Sequence, residues 1–287
     1  MQTMKRNILF ILSILTSLVV FYGPLRQLLG MSMHNELYSH IPLIPLVSGF
    51  FLYWDRKSIF SHVEHSIGAG ILPILLGAVL ATVGFVNVAG LNQNDYLSLM
   101  TFSVLVLWLG VFILLYGLQT FKRATFPLLF LFFMVPIPSA VTQAAIEFLQ
   151  RGSTEAVNVL FYLLGVPATR EGFVFHLPGL SIEVLENCSG IRSSIALVIT
   201  SVIASKLLLR KGWTRSLVAI SIVPIAILKN GIRIVTLSIL GVYIDERILL
   251  GDLHRKGGVV FFGISLILLW AVIIPLRKIE VSRGLGK

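Results

Sequence analysis

The chain has 287 residues, 56% of them hydrophobic and only 13% charged, with a mean hydropathy of +0.92 and a formal net charge of +10. Soluble domains are nearer half apolar and a quarter charged, so this composition excludes a soluble enzyme or binding module. The single cysteine excludes an internal disulfide framework and a multi-cysteine metal site.

A helix crosses the roughly 30 Å hydrocarbon core with about 20 apolar residues, and runs of that kind recur along the chain. Lys5 and Arg6 precede the first, over 8–21 and extending toward Leu29. No small-residue cleavage site follows, so it reads as a retained span. Further spans are expected over 38–53, 67–89, 97–118 and 124–135, the fifth ending at Pro136-Ile137-Pro138. The longest non-spanning stretch is 139–187. A sixth span follows the cysteine to about 209, carried by the apolar run 195–209, and others follow over 216–244 and 257–276. The seventh is too long for a straight crossing and is expected to tilt or break, with Pro224 as the kink. The expected fold is an all-α polytopic membrane protein of about eight transmembrane helices. It forms one integral membrane domain over 1–287, with four spans in 1–123, a core in 124–276 and a basic cytoplasmic tail in 277–287.

Lys and Arg are expected to crowd the cytoplasmic connections. Lys5, Arg6, Arg56, Lys57, Lys122, Arg123, Lys206, Arg210, Lys211, Arg215, Arg277, Lys278, Arg283 and Lys287 all fall on alternate connections, against Asp55, Glu64 and Glu280. Both termini are therefore expected in the cytoplasm and 139–187 on the outer face. The net charge reads as membrane anchoring, so no nucleic-acid partner is expected. No ligand cluster or cofactor motif is evident, and neither metal nor cofactor is expected.

Within 139–187, apolar residues from Val141 to Leu164 recur at helical spacing among Gln143, Glu147, Gln150 and Glu155, predicting one or two amphipathic helices at the interface. Two β-prone runs, 172–177 and 180–185, flank Pro178-Gly179 and predict a small hairpin. The hairpin delivers the chain to Glu186-Asn187-Cys188-Ser189-Gly190-Ile191-Arg192-Ser193. Asn187 or Ser189 is a credible N-cap for the helix that follows. Either choice sets Cys188 at a positive helix end, which suits a nucleophilic thiol. Arg192, four residues on, is expected one helical turn away on the same face.

Two further groups sit where they are costly. Lys229-Asn230-Gly231-Ile232-Arg233 interrupts the apolar seventh run, where cations must snorkel or face a partner, cavity or anion. His254 lies just before the last span, expected at the same membrane face as Cys188, with Asp252 as a weak candidate to orient it. A thiol to attack a carbonyl, an imidazole to shuttle a proton and a guanidinium to stabilise an oxyanion form a coherent set. An anion or lipid-substrate transporter, with Lys229 and Arg233 at a broken helix, is an alternative. So is a non-catalytic subunit of an exopolysaccharide export assembly.

The cysteine motif, Asn230-Gly231-Ile232-Arg233, His254 and the Pro136-Ile137-Pro138 span end together resemble the exosortase/archaeosortase family, over roughly 126–276. The first four spans are similar only in being hydrophobic. The resemblance implies a multi-pass cysteine peptidase/transpeptidase at the outer face of the inner membrane. Its substrates would be exported proteins with a C-terminal tripartite signal: a short motif such as Pro-Glu-Pro, a transmembrane helix and a basic tail. It implies Cys188 as the thioester-forming nucleophile, Arg233 as the group positioning the reacting carbonyl and His254 as the acid/base, with an exopolysaccharide or lipid as acceptor. A histidine at 254 fits the bacterial branch. Asn230, Arg192, Ser189 and Glu186 are supporting candidates.

Overall fold

The structure, a computed structural model, describes residues 2–61, 63, 66–245, 247 and 258–282. The chain divides into two compact units, Met1–Val141 and Thr142–Lys287.

In the first unit the opening apolar run is not one straight helix. It bends by 77° at Phe21, between α1 (Gln2–Val20) and α2 (Tyr22–His34). Pro24 sits in the first turn of α2, where its missing N–H leaves no helical bond unmade. The second run is present as a 19-residue candidate span, Glu36–Trp54. A 3-10 turn at Glu36–Tyr38 precedes α3 (Leu43–Trp54), and the short α4 (Arg56–Ile59) follows. Next come α5 (Ile67–Val86) and α6 (Gln93–Tyr116), the latter capped by Asn92, whose Oδ1 accepts from the Asp95 N–H at 2.9 Å.

Helices α5 and α6 touch backbone to backbone. A Cβ at Gly70 would lie 2.6 Å from Leu114 N, and one at Gly110 would lie 2.7 Å from Ile74 N. Lipid offers no hydrophobic drive to bring helices together, so close approach at small residues supplies the contact instead. The unit closes with α7 (Leu118–Arg123), α8 (Thr125–Phe130) and a 3-10 turn at Leu131–Met134. Val135 is extended (ψ 120°), as expected of a residue before proline, and this ends the fifth run where the sequence predicts.

The second unit is entered along α9 (Ser139–Leu163), one continuous helix. Its buried face holds Leu149, Val157 and Phe161 but also Gln150, Ser153 and Thr154, while Val141 and Phe148 of the expected apolar stripe are exposed. The predicted hairpin is present and gains a strand. β1 (Thr169–Glu171), β2 (Val174–Leu177) and β3 (Leu180–Glu183) form an antiparallel sheet in sequence order. Helices α10 (Ile191–Leu208), α11 (Gly212–Tyr243) and α12 (Gly258–Ser282) pack around Leu197, Val218, Ile222, Leu269 and Ile273. α11 runs unbroken through all 32 residues, with Pro224 inside it, so the broken seventh helix of the transporter alternative is absent.

At the far end of α12, Glu280 is only 3% exposed. Its carboxylate accepts from Arg210 N and Lys211 N, both at 2.9 Å, and from Thr214 Oγ1 at 2.5 Å. It satisfies free N–H groups at the start of α11 and ties α12 to the α10–α11 loop. Six described helices are each long and apolar enough to cross a membrane, and bent pairs raise the number to eight. The chain is an all-α polytopic membrane protein with one small sheet.

Two substitutions test this packing through the thermal midpoint in detergent. Gly110→Leu should lower it, since overpacking costs about 1–3 kcal/mol. Glu280→Ala should lower it as well, because each backbone N–H left unsatisfied costs about 1–3 kcal/mol. An unchanged midpoint in either would contradict the packing described.

Candidate active site

The site grows from the sheet. Phe175 and Leu177 of β2 and Val184 just after β3 pack on Val157 and Phe161 of α9 and Val235 of α11. Phe161 and Phe175 meet edge to face at 5.5 Å. The chain leaving β3 is then held twice. The Val184 N–H donates to Phe173 O at 3.0 Å, and Gln150 Nε2 donates to Val184 O at 2.6 Å. The Cys188 N–H donates to Leu185 O at 2.9 Å, which closes a 3-10 turn over Glu186–Cys188.

The expected N-cap at Asn187 or Ser189 is displaced to Gly190, which makes no side-chain cap bond. Gly190 has φ +77°, a left-handed conformation that side chains other than glycine's rarely adopt. It redirects the chain from the cysteine turn into α10. Ser193 Oγ and Ser194 Oγ both donate back to Gly190 O at 2.9 Å. Because Gly190 breaks the helical path, Cys188 and Arg192 do not share a helix face, contrary to expectation. Arg192 is exposed, one residue inside α10.

Helix α11 brings up the second half of the site. A Cβ at Gly231 would lie 2.9 Å from Ala156 Cβ, and one at Gly152 would lie 2.6 Å from Ile227 Cδ1, so glycines let α9 and α11 approach closely. Asn230, 1% exposed, is held there. Its Nδ2 donates to Cys188 O at 2.7 Å and to Ser153 Oγ at 2.9 Å. Lys229, 2% exposed, donates from Nζ to Ser193 Oγ. It does not snorkel; it stitches α11 to the first turn of α10. A Cβ on Gly190 would sit 3.0 Å from Asn230 Oδ1 and 3.1 Å from Lys229 Nζ, so space and backbone both select glycine there. Arg233, half-buried one turn further along α11, lies within electrostatic reach of Cys188 and of Arg192.

Cys188 itself is partly exposed. Glu186 lies on the exposed rim, where its Oε1 accepts from Gln143 Nε2 at 3.3 Å. Ser189 Oγ and Asn230 Oδ1 are buried without a hydrogen-bond partner among the described residues. The structure thus gathers Cys188, Ser189, Asn230 and Arg233, with Arg192 and Glu186 at the margin. His254 and Asp252 lie outside the described residues. Sequence reasoning missed Ser153, Gly190 and Ser193 as supports. Gln150, Ser153 and Thr154 are spaced i, i+3, i+4 on the face that also carries Leu149 and Val157, a polar stripe that signals a buried hydrogen-bonding seam.

A family model for the transmembrane exosortases (Exosortase_EpsH) matches residues 31–271. The chain belongs to the transmembrane exosortase family. The match covers the whole described site and reaches back to Met31, so family likeness extends into the first unit, well beyond the 126–276 resemblance. No curated protein and no solved structure gives a significant match. Membership of the exosortases makes this a multi-pass membrane protein and, in general terms, a membrane-embedded sorting transpeptidase whose substrates are exported proteins with sorting signals.

Gly190→Ala tests the exosortase cysteine turn, since a left-handed L-residue costs roughly 1–2 kcal/mol before any crowding of Asn230. Its thermal midpoint should fall, and Cys188 alkylation by a small thiol reagent should shift from the wild-type rate. Unchanged values for both would show that the turn does not need glycine.

Proposed function

We propose that the chain is a cysteine peptidase/transpeptidase acting through Cys188, Arg233 and His254. Its substrates are exported proteins with a C-terminal tripartite signal of the PEP-CTERM kind. In the first step the Cys188 thiolate attacks the scissile carbonyl carbon. An S–C bond forms, and negative charge develops on oxygen near the Arg233 guanidinium. As the C–N bond breaks, the departing amine takes a proton from His254, leaving a thioester on Cys188. In the second step an acceptor nucleophile, an exopolysaccharide or lipid group, loses its proton to His254 and attacks the thioester. The C–S bond breaks and its electron pair returns to sulfur.

The observation that carries this reading is Arg233 within electrostatic reach of the only cysteine in the protein. Arginine suits the role because its charge persists and its forked donors match a developing oxyanion. The turn that holds Cys188 supports the same reading. Asn230 fixes its carbonyl and the sheet fixes its approach, so the nucleophile is positioned before substrate arrives. Asn230 and Ser189 are supporting groups, Arg192 and Glu186 rim groups. The enzyme lies in the inner membrane with both termini cytoplasmic and the site at the outer face. The basic tail of the substrate then stays inside while its motif meets Cys188.

Processing of a co-expressed tagged substrate tests the chemistry. Cys188→Ala and His254→Ala should abolish it while the protein still inserts in the membrane. Arg233→Lys should lose at least about tenfold, since a point-charge ammonium cannot reproduce the fork. Wild-type processing by Cys188→Ala would overturn the proposal.

A further inference from the structure

The sheet beside the cysteine has an open edge, and its pairing shows which groups lie along it. Among the described residues β3 pairs with β2 alone, in the register Val174↔Glu183, Phe175↔Ile182, His176↔Ser181 and Leu177↔Leu180. In an antiparallel ladder, hydrogen-bonded and non-hydrogen-bonded pairs alternate. The Val184 N–H donates to Phe173 O, so that pair is hydrogen-bonded. Two steps on, Phe175↔Ile182 is the next such pair, and Leu177↔Leu180 closes the Pro178-Gly179 turn. Ser181 and Glu183 are therefore the residues whose backbone groups point away from β2.

The Glu183 C=O is taken by the Leu185 N–H at 3.1 Å, which ends the strand. The Ser181 N–H, the Ser181 C=O and the Glu183 N–H have no backbone partner among the described residues. Ser181 and Glu183 are exposed, while Leu180 and Ile182 turn inward. Such an edge is a template for one more strand. It also leads straight to the proposed nucleophile, because the chain passes from Glu183 through Leu185 into the Glu186–Cys188 turn.

We propose that the open edge of β3 is the docking site for the substrate, whose extended segment just before the scissile bond adds as a fourth strand through the Ser181 and Glu183 backbone groups. This rests on the reading of Cys188 as the nucleophile. Cleavage at a thiol requires an extended, fixed carbonyl, and strand addition supplies both extension and register. Main-chain pairing gives affinity without dictating side chains, and every second substrate residue presents its N–H to β3. Ile182 and Leu180 are half-buried on the opposite face from Ser181 and Glu183, so the edge is read through its backbone.

The test uses full-length protein in membranes with a tagged exported protein ending in a short motif, an apolar helix and a basic tail. Ser181→Pro removes an N–H that the β2 ladder does not use, so an edge strand tolerates it. Ser181→Ala removes only the hydroxyl, which hydrogen-bonds His176 Nδ1 at 2.8 Å. Ser181→Pro should raise KM at least tenfold above Ser181→Ala with kcat little changed, the mark of lost binding shared by ground and transition states. A second arm leaves the enzyme intact and places single prolines along the substrate residues before the cleavage point. Strand addition predicts alternating sensitivity with a period of two. Equal KM values for the two Ser181 variants, or no periodicity in the proline scan, would overturn the docking edge while leaving the cysteine chemistry standing. Processing that survives Cys188→Ala would instead remove the reading beneath it.

Discussion

One side-chain amide organises the site. Asn230 has two N–H donors and spends them on different segments, Ser153 of α9 and the carbonyl of Cys188. At 1% exposure it has no water to fall back on, so both bonds are strongly favoured. The result is a three-way junction. α11 carries the amide, α9 orients it, and the cysteine turn is fastened to both. A cysteine outside regular helix gains a fixed position in this way.

Glycines make that junction possible by giving up volume. Gly231 and Gly152 let α11 and α9 close on one another, and Gly190 leaves room for the Asn230 and Lys229 side chains while turning the chain into α10. Lys229 belongs to the same design. Its ammonium is held by Ser193 against the first turn of α10, one helical turn from Arg233. Two cations four apart repel mildly on a bare helix, and the bond to Ser193 offsets that repulsion. In unit 1 the α5–α6 pair follows the same rule, with Gly70 and Gly110 meeting backbone directly. Where lipid removes the usual hydrophobic drive, contact area from small residues and buried hydrogen bonds hold the elements together.

Much of this was legible in the residues. Long apolar runs give the spans, because hydrocarbon forces every backbone group into a helix. Pro136 ends the fifth run, and Pro178-Gly179 marks the hairpin, because those residues restrict the backbone locally. The cysteine motif and Asn230 with Arg233 stood out as polar groups in costly places. The bend at Phe21 was not legible, since hydropathy is blind to direction and apolar residues continue past it to Leu28 and Leu29. β1 was missed because three residues, Thr169–Glu171, carry too little pattern and pair only once β2 exists. The cap at Gly190 was misplaced because side-chain preference pointed to Asn187 and Ser189, while crowding by Asn230 and Lys229 decided the outcome. Ser153 looked like an ordinary polar residue on an amphipathic helix. Its partner lies 77 residues away, a separation no local pattern records.

Expensive features elsewhere in the second unit serve the same end. Glu280 is buried where it closes the α10–α11 loop, and it fixes the end of α10 farthest from the cysteine turn and the start of α11, the helix that carries Asn230. The central claim is that acyl transfer passes through the sulfur that Asn230 holds in place. Mass spectrometry of the protein quenched during turnover with its tagged substrate tests this most directly. The expected result is a substrate acyl group on the peptide containing Cys188, released by hydroxylamine. Cleaved product accumulating with Cys188 always recovered as free thiol, or an acyl group found on Ser193 instead, would contradict it.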